Sequence, residues 1–249
     1  TNLTSRATST FGKDDRWSTD VKVQYNNTSG FNRPTTGRDN SSIYNLQVLP
    51  RSLDIGDFAA GTDEFGQMIW YAVGVNMVNP FWRAMNDQNR DKRDRFLLNG
   101  SLKREFSDWL SAEIRAGGDL YTNNLERKLW AGSPIAANGQ YSTSKQTFRA
   151  TNYSALLIAQ KDDVFGNLGG TITLGGNLMH QKWESLGVNV SELEVPNLFY
   201  VGNSVGTPGF SQGFTERAIN SVYGSLALNY DDYLFLEATA RNDWTSTLH

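Results

Sequence analysis

AINSVYGSLALNYDDYLFLEATARNDW, residues 218–244, alternates on both sides of an acidic pair. Val222, Leu226 and Leu228 fall on one parity, and Ser221, Tyr223, Ser225 and Asn229 on the other. After Asp231-Asp232 the pattern restarts, with Leu234, Leu236, Ala238 and Ala240 against Glu237, Thr239, Arg241 and Asp243. Side chains of a strand point alternately to opposite faces, so this is a hairpin with one apolar wall and one polar, charged wall. Each arm has the roughly 9–11 residues that a tilted strand needs to cross a bilayer. Tyr230 and Tyr233 stand at the turn and Trp244 at the far end, where an interfacial girdle places aromatics. A half-buried hairpin of a soluble sandwich alternates in the same way, so the rest of the chain has to decide.

A mean hydropathy of -0.48 and 39% hydrophobic residues exclude a bundle of membrane helices, and no apolar run approaches the roughly 18 residues such a helix needs. A transmembrane barrel is compatible with these values, because only every second residue of its strands meets lipid. Lys and Arg (23) nearly balance Asp and Glu (26), which leaves no basic footprint for nucleic acid. With no cysteine, disulfide frameworks, thiolate metal sites and cysteine nucleophiles are excluded together.

The alternation recurs upstream. Trp17, Thr19, Val21, Val23 and Tyr25 oppose Ser18, Asp20, Lys22 and Gln24; Phe96, Leu98, Gly100 and Leu102 oppose Asn99, Ser101, Lys103 and Glu105; Leu110, Ala112, Ile114 and Ala116 oppose Ser111, Glu113, Arg115 and Asp119. Thr147 to Gln160 is apolar on both parities around YSALLIA, and Leu168, Ile172, Leu174 and Leu178 oppose Thr171, Thr173, Asn177 and Met179. Short turns follow Phe11, Phe106, Lys161 and Tyr230, with Phe11 and Trp17, then Phe106 and Trp109, framing the first two. Between them run long connections, Thr28 to about Arg93, Asn123 to Lys145, and Glu184 to about Thr215. In the first, IYNLQVLPRSL allows a short helix ended by Pro50. About eight strands therefore alternate tight turns at one end with long connections at the other, the loop asymmetry of an outer-membrane barrel. A soluble sandwich distributes its loop lengths over both ends.

Two stretches carry a family resemblance. NPFWRAMNDQNRDKRDRFLLNGSLKREFSDWLSAEIRAGGDLYT, residues 79–122, and RAINSVYGSLALNYDDYLFLEATARNDWTSTL, residues 217–248, resemble the middle of the barrel of SusC-like (SusC/RagA) TonB-dependent transporters of the Bacteroidetes outer membrane. The resemblance is weakest in Thr28 to Asn79 and Glu184 to Thr215. It implies a plugged barrel of about 22 strands, a SusD-like surface lipoprotein as partner, and import of glycans or peptides with energy passed by TonB. It also implies that the plug domain, the TonB box and the closing strands lie outside these residues. The rival of another class is a soluble or surface-exposed β-rich carbohydrate-binding module or adhesin; a TonB-dependent siderophore receptor is a third reading.

Catalytic constellations are thin, and neither an enzyme nor a bound cofactor is expected. The two histidines, His180 and His249, are too few for a histidine metal cluster. Glu113 and Asp119 share a strand parity with Arg115 between them, which reads as a solvated lumen wall rather than an acid/base pair; Glu237 and Arg241 belong to the same class of lumen-facing charge. Asp54, Asp57, Asp63 and Glu64 crowd one loop without the spacing of a calcium loop. Asn-x-Ser/Thr sites such as Asn40 and Asn189 have no role in a bacterial protein. The candidates for touching cargo or a partner protein are Trp70, Tyr71, Phe81, Trp82, Trp130 and Tyr141, flat apolar faces expected outside the strands; the alternative is that the long loops pack on themselves.

Overall fold

The alternation is realised as continuous antiparallel pairing in the computed structural model, which describes residues 1–33, 42–72, 77–231 and 233–248. Asn40, Asp232 and His249 lie outside them. Eight strands follow one another in chain order in a single sheet: β1 Asn2–Phe11, β2 Trp17–Phe31, β3 Asp87–Glu105, β4 Leu110–Leu129, β5 Gln140–Phe165, β6 Leu168–Val190, β7 Gly209–Tyr230 and β8 Leu234–Leu248. Each strand pairs only with its sequence neighbours, and β1 and β8 form the two edges. No described helix is long and apolar enough to cross a membrane.

The register sorts the side chains. Directly paired residues of an antiparallel ladder share a face, so the row Thr19–Leu102–Ile114–Ala155–Gly176–Val222 is one line across the sheet. Every parity that the sequence offered as apolar lands on this same face, including the ambiguous β5, which presents Tyr153, Ala155, Leu157 and Ala159 there. These residues are left uncovered: Ile114, Leu174, Leu178, Val222 and Leu236 are each more than half exposed. The opposite face carries Arg6, Asp20, Lys103, Glu113, Arg115, Asp119, Arg241 and Asp243.

The apolar residues form a band that slides along the rows. On β2 it runs from Trp17 to Tyr25, on β4 from Leu110 to Leu120, on β6 from Leu168 to Leu178 and on β8 from Leu234 to Trp244. Followed through the register from β2 to β8, its midpoint moves by about one residue per strand on average, with most of the shift between β4 and β6 and none between β6 and β8. A rise of about 3.3 Å per step over a strand spacing of about 4.8 Å corresponds to a tilt of about 30–35°, within the range of closed barrels. Ten residue steps at that tilt give a band about 27 Å tall, close to the lipid-facing girdle of outer-membrane barrels. Aromatics edge it: Phe11 stacks on Trp17 at 6.0 Å at the turn end, and Tyr25 meets Phe96 at 4.9 Å at the other.

Four short turns lie at one end of the sheet. In the first, Gly12 adopts φ 87°, and a side chain there would collide with the indole of Trp17. The connections at the other end are shorter than the sequence pattern suggests. They span residues 32–86, 130–139 and 191–208, because β2 to β7 continue well past the apolar band. Likewise β5 runs to Phe165, so Asp162, Asp163 and Val164 belong to the strand and the turn is Gly166-Asn167. The first connection holds helix α1, Ser42–Gln47, which stops before Pro50, a 3-10 turn at Ile55–Phe58, and helix α2, Pro80–Asn86.

Candidate functional site

The three connections pack into one cap over the loop end of the sheet, and buried polar hubs organise it. Asn79 precedes Pro80, the combination that starts a helix with its first N–H groups capped. Its side-chain oxygen accepts from the Phe81 and Trp82 amides, while its NH₂ donates to the Phe58 and Ile69 carbonyls, both at 2.8 Å. This holds α2 so that Val78 and Trp82 sink into a small core with Leu129, Ala136, Met68 and Ile135. The Met68 amide donates to the Gly132 carbonyl at 2.6 Å, tying the first connection to the second. Asn203 does the same work in the third: it accepts from the Val195 amide and donates to the Val195 and Leu198 carbonyls. The Leu193 amide donates to Gly139 and the Ala131 amide to Asn197 Oδ1, joining the second connection to the third.

Asp87, the first residue of β3, anchors the cap to the sheet. Its carboxylate, 1% exposed, accepts from Arg83 Nε on α2 at 3.1 Å and from Arg127 Nε and Nη2 on β4 at 2.7 and 2.8 Å. A buried carboxylate needs such partners to stay charged. Beside it, Arg33 forks onto Asp91, and this pairing raises the guanidinium pKa above its ordinary value. Arg33, Arg127, Ser142, Ser144, Asn189 and Ser211 line a groove of about 800 Å³ near the loop end of the sheet. Its small hydroxyls and fixed guanidinium groups offer donors in a space wide enough for an extended polar molecule.

The aromatic candidates take several positions. Trp82 is 1% exposed and Trp70 9%, Trp70 being packed edge-on to Phe58 at 4.9 Å. Tyr71 leans on Trp70 and donates to the Val48 carbonyl at 2.9 Å. Self-packing of the loop thus uses the indole of Trp82 completely, a correction to its reading as a surface for stacking. Phe81 is 38% exposed. Tyr141 does not lie outside the strands: it is the second residue of β5, and its hydroxyl donates to Glu126. Trp130 and Tyr141 both face Phe199 of the third connection, at 5.2 and 6.3 Å. Sequence reasoning missed Asn45, whose side-chain oxygen accepts from the Val78 amide, and Asp87 and Asn203, all buried, because single buried polar residues leave no periodic trace; only the Asn-Pro cap signal at 79–80 was there to be read.

The polar face brings the expected charges together as compensated pairs. Arg115 forks onto Glu113 at 2.7 Å, Arg95 onto Asp119 at 2.8 and 2.6 Å, and Arg6 onto Asp20 at 2.9 and 2.7 Å. Arg241 bonds Asp243 and reaches Ser221 on β7 at 2.9 Å, while Glu237 stands opposite Ala227. Glu113 and Asp119 each hold an arginine rather than each other. The loop carboxylates are turn makers: Asp54 accepts from the Gly56 amide, and Asp63 from the Phe65 and Gln67 amides. Among the described residues no three acidic or histidine side chains converge as a metal site. His180 shares a hydrogen bond with Glu216 at 2.7 Å.

A tilted antiparallel wall with a bare apolar band, a paired polar face and all long connections at one end is the architecture of a β-barrel segment. Solved structures agree. The chain superposes on the RagAB peptide transporter with a TM-score of 0.73 at 13% identity, over 98% of this chain and 28% of that one. The RagAB peptide importer matches in its open-open state (TM-score 0.70, 15% identity, 98% and 27% covered) and in its closed-closed state (0.70, 14%, 98% and 28%). The chain thus spans just over a quarter of the length of these transporter chains. No family model and no curated protein matches the sequence.

Proposed function

We propose that this chain is part of the wall of a larger plugged barrel in a bacterial outer membrane, one that imports nutrients and performs no catalysis. The observation that carries the reading is the bare band: about 27 Å of apolar side chains, aligned through the register across the sheet and edged by aromatics. In water such a surface would be a large exposed apolar patch; against hydrocarbon it is satisfied, and within the band the hydrogen-bonded ladders pair the backbone of the inner strands. The paired charges then face the lumen or a plug, and the loop cap faces the cell exterior. The family resemblance and the likeness to a peptide transporter favour peptides or glycans as cargo, a SusD-like lipoprotein seated on the cap, and energy from TonB acting through parts of the protein outside these residues.

The test is a single-cysteine scan of the intact barrel, since this chain contributes no cysteine of its own. Spin labels at 98, 114, 174 and 226 should be relaxed by oxygen dissolved in lipid, and labels at 99, 115, 173 and 225 by a water-soluble nickel chelate. Water accessibility at both sets would eliminate the membrane reading in favour of a soluble binding module. Uptake of labelled peptides and oligosaccharides by cells with and without the partner lipoprotein then separates the cargo classes.

A further inference from the structure

The apolar face does not end in neutral residues at the loop end. Four positions beyond the loop-end edge of the apolar band on its strand, β3 carries Lys92 (beyond Phe96), β5 carries Arg149 (beyond Tyr153) and β6 carries Lys182 (beyond Leu178), with Leu186 further out on the same face of β6. All three share the parity of the apolar band: each stands four residues beyond it on its own strand, while Arg149 also pairs with Leu120, the last band residue of β4, so the Arg149–Lys182 pair lies at the loop-end border of the band. Headgroups occupy about 5–8 Å beyond the hydrocarbon on each side, and long cationic side chains bend toward that layer.

The carboxylates around this belt are engaged. Asp94 accepts from Tyr25 Oη and Asn27 Nδ2, both at 2.6 Å; Glu184 holds Lys182 at 2.9 Å; Glu216 is bonded to His180. Among the described residues no hydrogen bond or ion pair reaches Arg149, and Lys92 makes no hydrogen bond but lies within reach of the Asp94 charge on the same face of β3. Arg149 is moreover paired directly with Lys182 across the β5–β6 ladder, a destabilising juxtaposition of like charges, while Glu216 stands opposite Lys182 on its other side. At the opposite end the balance is reversed: Asp14, Asp15, Asp108, Asp162, Asp163 and Asp231 surround the short turns, with Lys13, Arg16 and Lys161 as their nearest bases in the sequence.

We propose that Lys92, Arg149 and Lys182 form a binding site on the outside of this wall for the phosphate of an anionic lipid in the loop-side leaflet. The inference rests on the apolar face being the lipid face. Arg149 and Lys182 clamp the phosphate, relieving their repulsion, Lys92, four residues out of register with them on β3, engages a second phosphate, and the acyl chains lie over Tyr153 and Leu178.

The experiment uses the intact barrel in nanodiscs of phosphatidylcholine and phosphatidylglycerol with identical acyl chains, and native mass spectrometry to count the lipids retained. Enrichment of phosphatidylglycerol is expected. Each cation near an anionic surface strengthens attachment about fivefold, so the Lys92→Gln/Arg149→Gln/Lys182→Gln variant should lose roughly a hundredfold. Lys22→Gln on the polar face should lose nothing, Arg149→Lys should retain most of the enrichment, and inorganic phosphate should not displace the lipid. Equal retention of the two lipids, an unaffected triple variant, displacement by inorganic phosphate, or the same loss from Lys22→Gln would each overturn the site. A spin label at 114 keeps the two readings apart: lipid contact there without anionic enrichment removes the site and leaves the barrel, whereas water contact removes both.

Discussion

Placing one arginine on each face of β6 tests the bilayer assignment at its most sensitive depth. The apolar band on this strand runs from Leu168 to Leu178, so Leu174 lies six residues from one edge and four from the other. At about 2.7 Å of height per residue this is within about 3 Å of the bilayer midplane. Its side chain is 56% exposed, lies opposite Leu157 and packs over Gly224, so an arginine there meets no pre-existing partner. Leu174→Arg should cost about 2–4 kcal/mol, the penalty of a cation at the midplane of an outer-membrane barrel. Thr173→Arg, one residue away at nearly the same height, enters the face where Arg95 and Arg115 already find carboxylates and should cost far less. Leu236 on β8 supplies a depth control. It lies two residues from Leu234 at the turn end, roughly 8 Å from the midplane, so Leu236→Arg should fall between the two. Equilibrium folding of the intact barrel into phosphatidylcholine vesicles, followed by heat-modifiable gel mobility across a denaturant series, gives the three values. Equal costs for Leu174→Arg and Thr173→Arg, or a larger cost at Thr173, would refute the assignment of faces.

Three further perturbations probe the cap and the polar face. Asp87→Asn removes the charge that Arg83 and Arg127 share and should cost about 3–5 kcal/mol locally; hydrogen exchange of Pro80–Asn86 should accelerate while exchange in the β4–β6 band is unchanged. Asn203→Ala deletes three hydrogen bonds inside the third connection and should cost about 1–3 kcal/mol, read as faster limited proteolysis within 191–208. Gly175→Val pushes a side chain into the ring of Tyr223, which lies over the glycine at 2.5 Å from an added Cβ, and displaces that ring from beneath the Arg241 guanidinium. It should cost about 1–3 kcal/mol, and adding Tyr223→Ala should recover part of that loss; additive losses in the double variant would show that the two do not touch.

What was legible in the sequence follows from where the two faces of a strand meet different surroundings. Between Trp17 and Tyr25, or Leu234 and Trp244, one side is apolar and the other polar, so the pattern has period two and both face and register can be read. Above the band both sides of the same strands are polar. NNLERK at 123–128 and STSK at 142–145 therefore lose the alternation and read as loop, although they are paired residue for residue in β4 and β5. This is why the second connection contracts to residues 130–139. The cap was less legible for a different reason: its order depends on Asn79, Asp87 and Asn203, each engaging backbone or side chains far along the chain, and no local spacing announces such partners. Trp82 illustrates the ambiguity, since a loop tryptophan built for stacking and one built for a loop core have the same sequence context.

The strands' excess length bears on how the groove is made. β5 has 26 residues and β6 has 23, while the apolar band occupies only about 11 of each. The remainder stands beyond the band as a hydrogen-bonded palisade that continues the tilt of the wall. Ser142, Ser144, Asn189 and Ser211 are presented by this palisade, not by loops, and Arg127 is held rigid by Asp87. A recognition surface built on paired strands keeps its geometry when the connections above it move. In the importer proposed above, motion of the cap would admit or retain cargo: Trp82, Val78 and Leu129 hold its parts together, while Asp87 is the charged tether to the wall. In this arrangement Asn79→Ala, which loosens the cap without touching the groove, should alter cargo entry and leave the affinity of the groove unchanged, whereas Ser144→Leu should do the reverse. Labelled-peptide binding to the detergent-solubilised barrel, compared with uptake by cells, separates the two, and a matching loss in both assays for both variants would show that cap and groove act as one body.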